Sequence, residues 1–173
     1  MNNSRKKTLA IVLRRTDFGE ADRIVNFLTL HGKQAAIARG VRKPKSKLAG
    51  GIEFFSLNEV VLIEGKSEMK TLSSARMCEF FGEILKDFER TEFAYHAIKK
   101  ISGLCEQIES GDFFEILLTI FRSLNNYDID LNLTKKWFNF KMAEFSGDEI
   151  NLESDKNGKP LRVDLTYSFD FYD

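Results

Sequence analysis

The stretch with the clearest chemical purpose is Gly32-Lys33-Gln34-Ala35-Ala36-Ile37-Ala38-Arg39-Gly40-Val41-Arg42-Lys43-Pro44-Lys45-Ser46-Lys47. Lys33, Arg39, Arg42, Lys43, Lys45 and Lys47 place six cations in 15 residues with no acid between them. On a strand, Lys33 and Arg39 stand an even number of residues apart and share a face. Gly40 lets the backbone turn, and Pro44 is expected to keep the following loop extended. Arg14 and Arg15, at the end of an earlier apolar run, join the same basic set. Cations so arranged follow a phosphate backbone without reading bases. Each phosphate neutralised on a single strand steepens the salt dependence by roughly 0.7 in log–log slope, so five or six contacts predict about −4.

Other residue types offer less. Phe18, Phe27, Phe54 and Phe55 lie near the cations and could stack on bases, but most are expected to fill a small interior. Phe18, next to Gly19 in a loop, is the exception to look for. Asp17, Glu20 and Asp22 suggest a metal site, yet Arg14, Arg15 and Arg23 surround them, so internal salt bridges are the better reading. His31 sits in a turn without a Cys or Ser partner, and His96 reads as a helix surface residue. Gly50-Gly51 lacks the Gly-Lys-Ser/Thr of a phosphate-binding loop. Ser46 and Ser67 have no base. Cys78 and Cys105, the two cysteines, cannot make a disulfide framework or a cysteine-only zinc site. No catalytic residue is assigned.

The elements that must position the cations change character along the chain. Leu9, Ile11 and Leu13 alternate weakly with their neighbours. Further strands are expected over Asp22–Leu30, Gln34–Ala38, Ile52–Ile63 and Glu68–Ala75. His31-Gly32 reads as a hairpin turn with Gly supplying positive φ, and Glu64-Gly65-Lys66-Ser67 as another turn. About five strands in this length suit a small closed or nearly closed barrel, OB-like or SH3-like. From Cys78 the period becomes helical. Phe80, Phe81, Ile84, Leu85 and Phe88 define one helix face, and Ala94 to Ile108 a second helix. Phe113 to Leu124 follows with Asp112 as N-cap, then Leu133 to Phe145, burying Trp137, Phe138, Met142 and Phe145. Leu161, Val163, Leu165, Tyr167, Phe169 and Phe171 alternate as a strand after the Lys156–Lys159 turn. The pattern stops at Asp173 without a closing cap, so a further C-terminal portion is expected.

The chain has 173 residues and no net charge, with 26 basic and 26 acidic side chains. The cancellation hides a split. Residues 1–50 carry 12 basic and three acidic side chains, and the first 76 residues have an excess of eight positive charges. The rest carries 11 basic and 19 acidic, an excess of eight negative. A basic module that binds a polyanion, followed by a module with another task, is the reading. The division falls at residues 1–77 and 78–173, an α+β arrangement. No run of apolar residues is long enough for a membrane helix, and a cytoplasmic protein is the default.

Taken in order, Ala10–Arg15, Phe18-Gly19-Glu20-Ala21-Asp22-Arg23, Phe27-Leu28-Thr29, Gly32-Lys33, Ala38–Arg42, Lys45-Ser46, Ile52–Phe55 and Glu68–Ala75 resemble the N-terminal domain of the bacterial RecO family. The order and spacing across residues 8–76 carry the resemblance, while the helical half matches by pattern only. It implies a five-stranded OB-fold followed by a helical domain. It also implies a non-enzymatic mediator of DNA repair and homologous recombination in the RecF pathway, in the bacterial cytoplasm at the nucleoid. Such a protein binds single- and double-stranded DNA, anneals complementary strands and, with RecR, helps load RecA onto strands coated by single-strand-binding protein. Lys33 and Arg39 carry over as DNA contacts, with Arg42, Lys43, Lys45 and Lys47 beside them. The acidic, apolar C-terminal tail of single-strand-binding protein would meet a cation of the helical half, with Lys99, Lys100, Arg122, Lys135 and Lys136 as candidates. Many members carry a four-cysteine zinc site after the last helix. Phe145–Asp173 contains no cysteine, so neither zinc nor any other cofactor is expected. A general nucleic-acid or RNA-binding adaptor with a helical protein-interaction domain is the alternative. A metal-dependent nuclease built on the Asp17 cluster is a remote third.

Overall fold

The computed structural model describes residues 4–65, 69–106 and 111–146. Five strands come first: β1 (Arg5–Phe18), β2 (Asp22–Thr29), β3 (Gly32–Ala38), β4 (Ser56–Ile63) and β5 (Lys70–Phe80). They close into a barrel-like ring in the order β1-β2-β3-β5-β4. Every pairing is antiparallel except the short parallel contact of β3 with β5, Ala36 opposite Lys70 and Ile37 opposite Thr71. Three helices follow: α1 (Phe88–Leu104), α2 (Asp112–Asn125) and α3 (Leu131–Ser146). The fold is thus α+β, an OB-like ring followed by helices.

Both faces of β1 are covered, which explains its weak alternation. Ala10 and Val12 point into the ring, where they meet Val25, Phe27, Ala36, Ala38, Val60, Leu62 and Leu72. Ile11 and Leu13 belong to a second core with Leu28, Phe55, Leu57 and the helices. A register shift between Val12 and Arg14 then turns the rest of the strand. Small Ala36 and Ala38 on β3 leave room inside the ring for Phe27, which is fully buried. α2 is apolar on most sides because it is the centre of the second core, with Phe113, Phe114, Leu117, Phe121 and Leu124 all buried.

The β2–β3 turn takes the expected form, with Gly32 at φ +84°. Four expectations need correction. The strand foreseen over Ile52–Ile63 begins only at Ser56, because Phe55 has φ +54°. Its ring packs edge-on against Tyr95 and Phe121, and its carbonyl accepts from the Phe81 N–H at 2.9 Å. Those contacts hold a conformation that costs a non-glycine residue about 1–3 kcal/mol. The helix foreseen over Phe80–Phe88 is instead the end of β5, a tight 3-10 turn over Gly82–Lys86, and the N-cap of α1. There the Asp87 carboxylate accepts from the Arg90 N–H at 2.9 Å. Phe81 and Ile84 are buried, while Leu85 and Phe88 are 54% and 81% exposed, so these positions share no single face. Asp112 is the first residue of α2, and Gly111 occupies the cap position. In α3, Phe138 and Met142 are buried as expected, whereas Trp137 and Phe145 are half-buried against the core. The turn at Lys66-Ser67 and the strand foreseen after Lys156 lie outside the described residues.

Candidate nucleic-acid interface

The segment leaving β3 is a cap on one end of the ring. Gly40, at φ +65°, turns the chain, and its N–H donates to the Asp22 carboxylate at 2.7 Å. The Arg42 N–H donates to the Ala21 carbonyl at 2.9 Å. Lys43 N–H to Gly40 O, Ser46 N–H to Lys43 O and Gly51 N–H to Leu48 O then close consecutive turns at 3.0–3.1 Å. The extended loop expected from Pro44 is therefore absent, and the backbone is folded on itself. What folds it is an apolar underside. Val41 and Ile52 are buried in the ring core, with Leu48 and Ala49 packed beside them. Gly51 lies so close to β5 that a Cβ would come within 2.4 Å of the Ala75 methyl. With the apolar residues turned inward, Arg42, Lys43, Lys45 and Lys47 are all exposed on the outside.

The eight sequence-predicted cations fall into two groups. Arg14, Arg39, Lys43, Lys45 and Lys47 make no ion pair among the described residues. Four of these belong to the cap, and residues 39–50 contain no acid. Arg14 is exposed on β1 opposite Asn26. The other three cations are engaged. Arg15 reaches Glu53 at 2.9 Å and the Ile52 carbonyl at 3.2 Å, with its guanidinium 4.5 Å from the centre of the Phe54 ring. Arg42 donates to the Gly19 carbonyl at 3.3 Å and lies 3.6 Å from Asp17. Lys33 pairs with Glu106, just past α1, at 2.9 Å. Arg39 lies one residue past the end of β3, in the turn at Gly40, so it does not share a face of β3 with Lys33, and six residues of chain at strand rise separate the two by roughly 20 Å. Arg39 therefore belongs to the cap, and Lys33 to the junction with the helices.

Of the acidic cluster, only Asp17 forms salt bridges among the described residues, with Arg23 and Arg42, while Glu20 makes none and Arg15 pairs with Glu53 instead. Asp17 accepts from Arg23 at 2.7 Å, and that hydrogen bond, with the charges of Arg42, Arg23 and Arg15, holds its carboxyl below the usual range. Asp22 is used by the Gly40 N–H. Among the described residues no group of three His, Cys, Asp or Glu side chains could hold a metal ion. Nor do the cysteines fit a four-cysteine zinc centre, since the chain has two: Cys78 is exposed on β5 and Cys105 ends α1. Of the four phenylalanines, Phe27 fills the ring, Phe55 the second core, and Phe54 lies under Arg15. Phe18 is 52% exposed.

Sequence reasoning missed the Lys33–Glu106 pair, 73 residues apart, and the buried Arg90. The Arg90 guanidinium donates to the carbonyls of Leu124 at 2.9 Å, Asn126 at 3.2 Å and Ile129 at 3.1 Å, closing the end of α2. No local signal announces either. The five helical-half cations are scattered. Lys99, Lys100 and Lys136 are exposed, Arg122 pairs with Glu79 at 3.0 Å, and Lys135 approaches the Phe93 ring at 5.9 Å. No helix among the described residues is long and apolar enough to cross a membrane.

The chain is thus a closed OB-like ring with an acid-free basic cap, joined through a shared core to a set of helices. Residues 1–81 match the family described as Recombination protein O N terminal. The chain belongs to the RecO family of DNA repair proteins. It is 40% identical over 129 residues to the DNA repair protein RecO of a Roseiflexus species, covering 73% of this chain and 45% of that protein. It is 30% identical over 150 residues to RecO of Alkaliphilus metalliredigens, covering 86% and 61%. It is also 31% identical over 164 residues to RecO of Dehalococcoides mccartyi, covering 93% and 64%. The chain thus spans between about half and two thirds of the length of these curated relatives.

Proposed function

We propose that this chain is a recombination mediator that binds DNA through the basic cap of its ring. The observation that carries the reading is the cap itself. Arg39, Lys43, Lys45 and Lys47 project from a backbone fixed by the ring core, with no acid in the segment to neutralise them. Such a surface follows phosphates of single- or double-stranded DNA with little sequence preference. Two strands drawn to one cationic surface lose their mutual repulsion, and that promotes annealing. Arg42 and Arg14 extend the same surface. Lys33 joins it only when released from Glu106.

The work is strand binding, annealing and help in loading RecA in the bacterial cytoplasm, not bond-making, and it needs no cofactor. The helical half, with its excess of acid, would face protein partners: RecR, the acidic tail of single-strand-binding protein, and RecA indirectly. The experiment is annealing of complementary oligonucleotides coated with single-strand-binding protein, with and without that protein's tail. Annealing on coated strands that depends on the tail is the expected result. Failure to anneal even naked strands, or tighter binding to structured RNA than to single-stranded DNA, would overturn the reading.

A further inference from the structure

We propose that Phe18 is a stacking platform for an unpaired base, so that the cap selects single-stranded over duplex DNA. The inference rests on the DNA-binding reading of the cap and adds what that site prefers. Phe18 ends β1, opposite Asp22, and the residue is 52% exposed. Gly19, at φ +58°, turns the chain immediately after it. The residues on both sides of the ring are fixed from the cap. Arg42 donates to the Gly19 carbonyl at 3.3 Å and faces Asp17 at 3.6 Å, while its N–H holds the Ala21 carbonyl at 2.9 Å. Arg23 holds Asp17 from the other side, and Asp22 accepts from Gly40. The exposed ring is therefore pinned to the basic cap on a short, hydrogen-bonded turn.

This distinguishes it from the exposed apolar side chains at the junction of β5 and α1. Phe80, Leu85 and Phe88 lie where β5 runs into α1, beside the closed pairs Arg122–Glu79 and Lys86–Glu83. Phe18 stands instead on the turn that the cap itself grips, through the Arg42 side chain on Gly19, the Arg42 N–H on Ala21 and the Gly40 N–H on Asp22, and that cap segment, residues 39–50, contains no acid. A strand whose phosphates are held by Arg39 and Lys43 brings its bases to this edge, and a base that leaves water for the ring face gains stacking. A duplex has its base faces already stacked and offers none.

The test is affinity of the full chain for three probes of equal length: oligothymidylate, an abasic deoxyribose-phosphate chain and a duplex. Wild type should bind oligothymidylate more tightly than the abasic chain. Phe18→Ala should lose about 5- to 150-fold on oligothymidylate, the range for one stacked base. Its affinity for the abasic chain and the duplex, its salt slope and its melting temperature should stay unchanged. Phe18→Trp should retain affinity and show emission quenched by oligothymidylate, beyond any change from Trp137 in the wild type. Equal binding of oligothymidylate by Phe18→Ala and wild type would overturn the stacking role, as would an equal loss on all three probes. If wild type binds none of the probes, the DNA-binding reading of the cap falls with it, and the two failures are told apart by the wild-type titration alone.

Discussion

At the scale of single residues, the structure divides cations that the sequence presents as alike. Lys33 and Arg39 have the right type and parity, and nothing local distinguishes them. What separates them is Glu106, which becomes a neighbour only when the helical half docks. Lys33→Ala is therefore expected to weaken single-strand binding less than Arg39→Ala, a comparison that anisotropy titration makes directly. The Lys33 hydrogen bond and charge lower the Glu106 pKa below its ordinary 4.5. A depressed carboxyl contributes stability above its unfolded pKa and loses it as pH falls through the folded one. The contact should thus fail only below about pH 4.5, and Glu106→Gln should remove that part of the acid sensitivity in a pH series of melting curves. Arg90 is the opposite case. It sits on an amphipathic helix like any surface arginine, yet it is buried against the carbonyls that end α2. Arg90→Ala should leave those acceptors unpaired and cost about 2–4 kcal/mol, read by urea denaturation.

Among the elements, those whose pattern is local were legible. The β2–β3 hairpin, α2 and the span of α3 follow from period and turn residues, whereas α1 begins six residues before the expected Ala94 and ends at Leu104. The errors fall where tertiary contacts override period. Phe80–Phe88 has helical spacing, but β5 continues to Phe80 because it pairs with β4 through Ser56. Ile52–Phe55 has strand composition, but Phe55 is drawn into the core it shares with Tyr95 and Phe121. In the sequence the cap reads as an extended basic loop because its charges are conspicuous. Val41, Leu48 and Ile52, which fold it, are scattered singly among them. Gly51 is the sharpest test of that folded form. Gly51→Ala places a methyl against the Ala75 backbone at 2.5–2.6 Å. Overpacking of this kind costs about 1–3 kcal/mol. The expected outcome is faster tryptic cleavage between Lys43 and Lys47 together with a lower Tm. Unchanged cleavage would mean that the cap is not held by its contact with β5.

At the scale of the whole molecule, the zero net charge is two opposite modules sharing a core. Ile11, Leu13 and Leu28 of the ring pack with Phe81, Ile84 and the helices, and Arg122–Glu79 and Lys33–Glu106 close the edges. The described helices are thereby held against the ring by a shared core and two ion pairs, and the proposed function expects DNA at the cap. The charge split was visible in the sequence, but the orientation was not, since it depends on which end of the ring meets α1 and α2. The most direct test of the account is the salt dependence of single-strand affinity. With five open cations, log K against log salt should fall with a slope of about −3.5. Replacing Arg39, Lys43, Lys45 and Lys47 together by Gln should bring the slope close to −1 without lowering Tm. A slope that the four substitutions leave unchanged would contradict the account, because the phosphates would then be held elsewhere on the molecule.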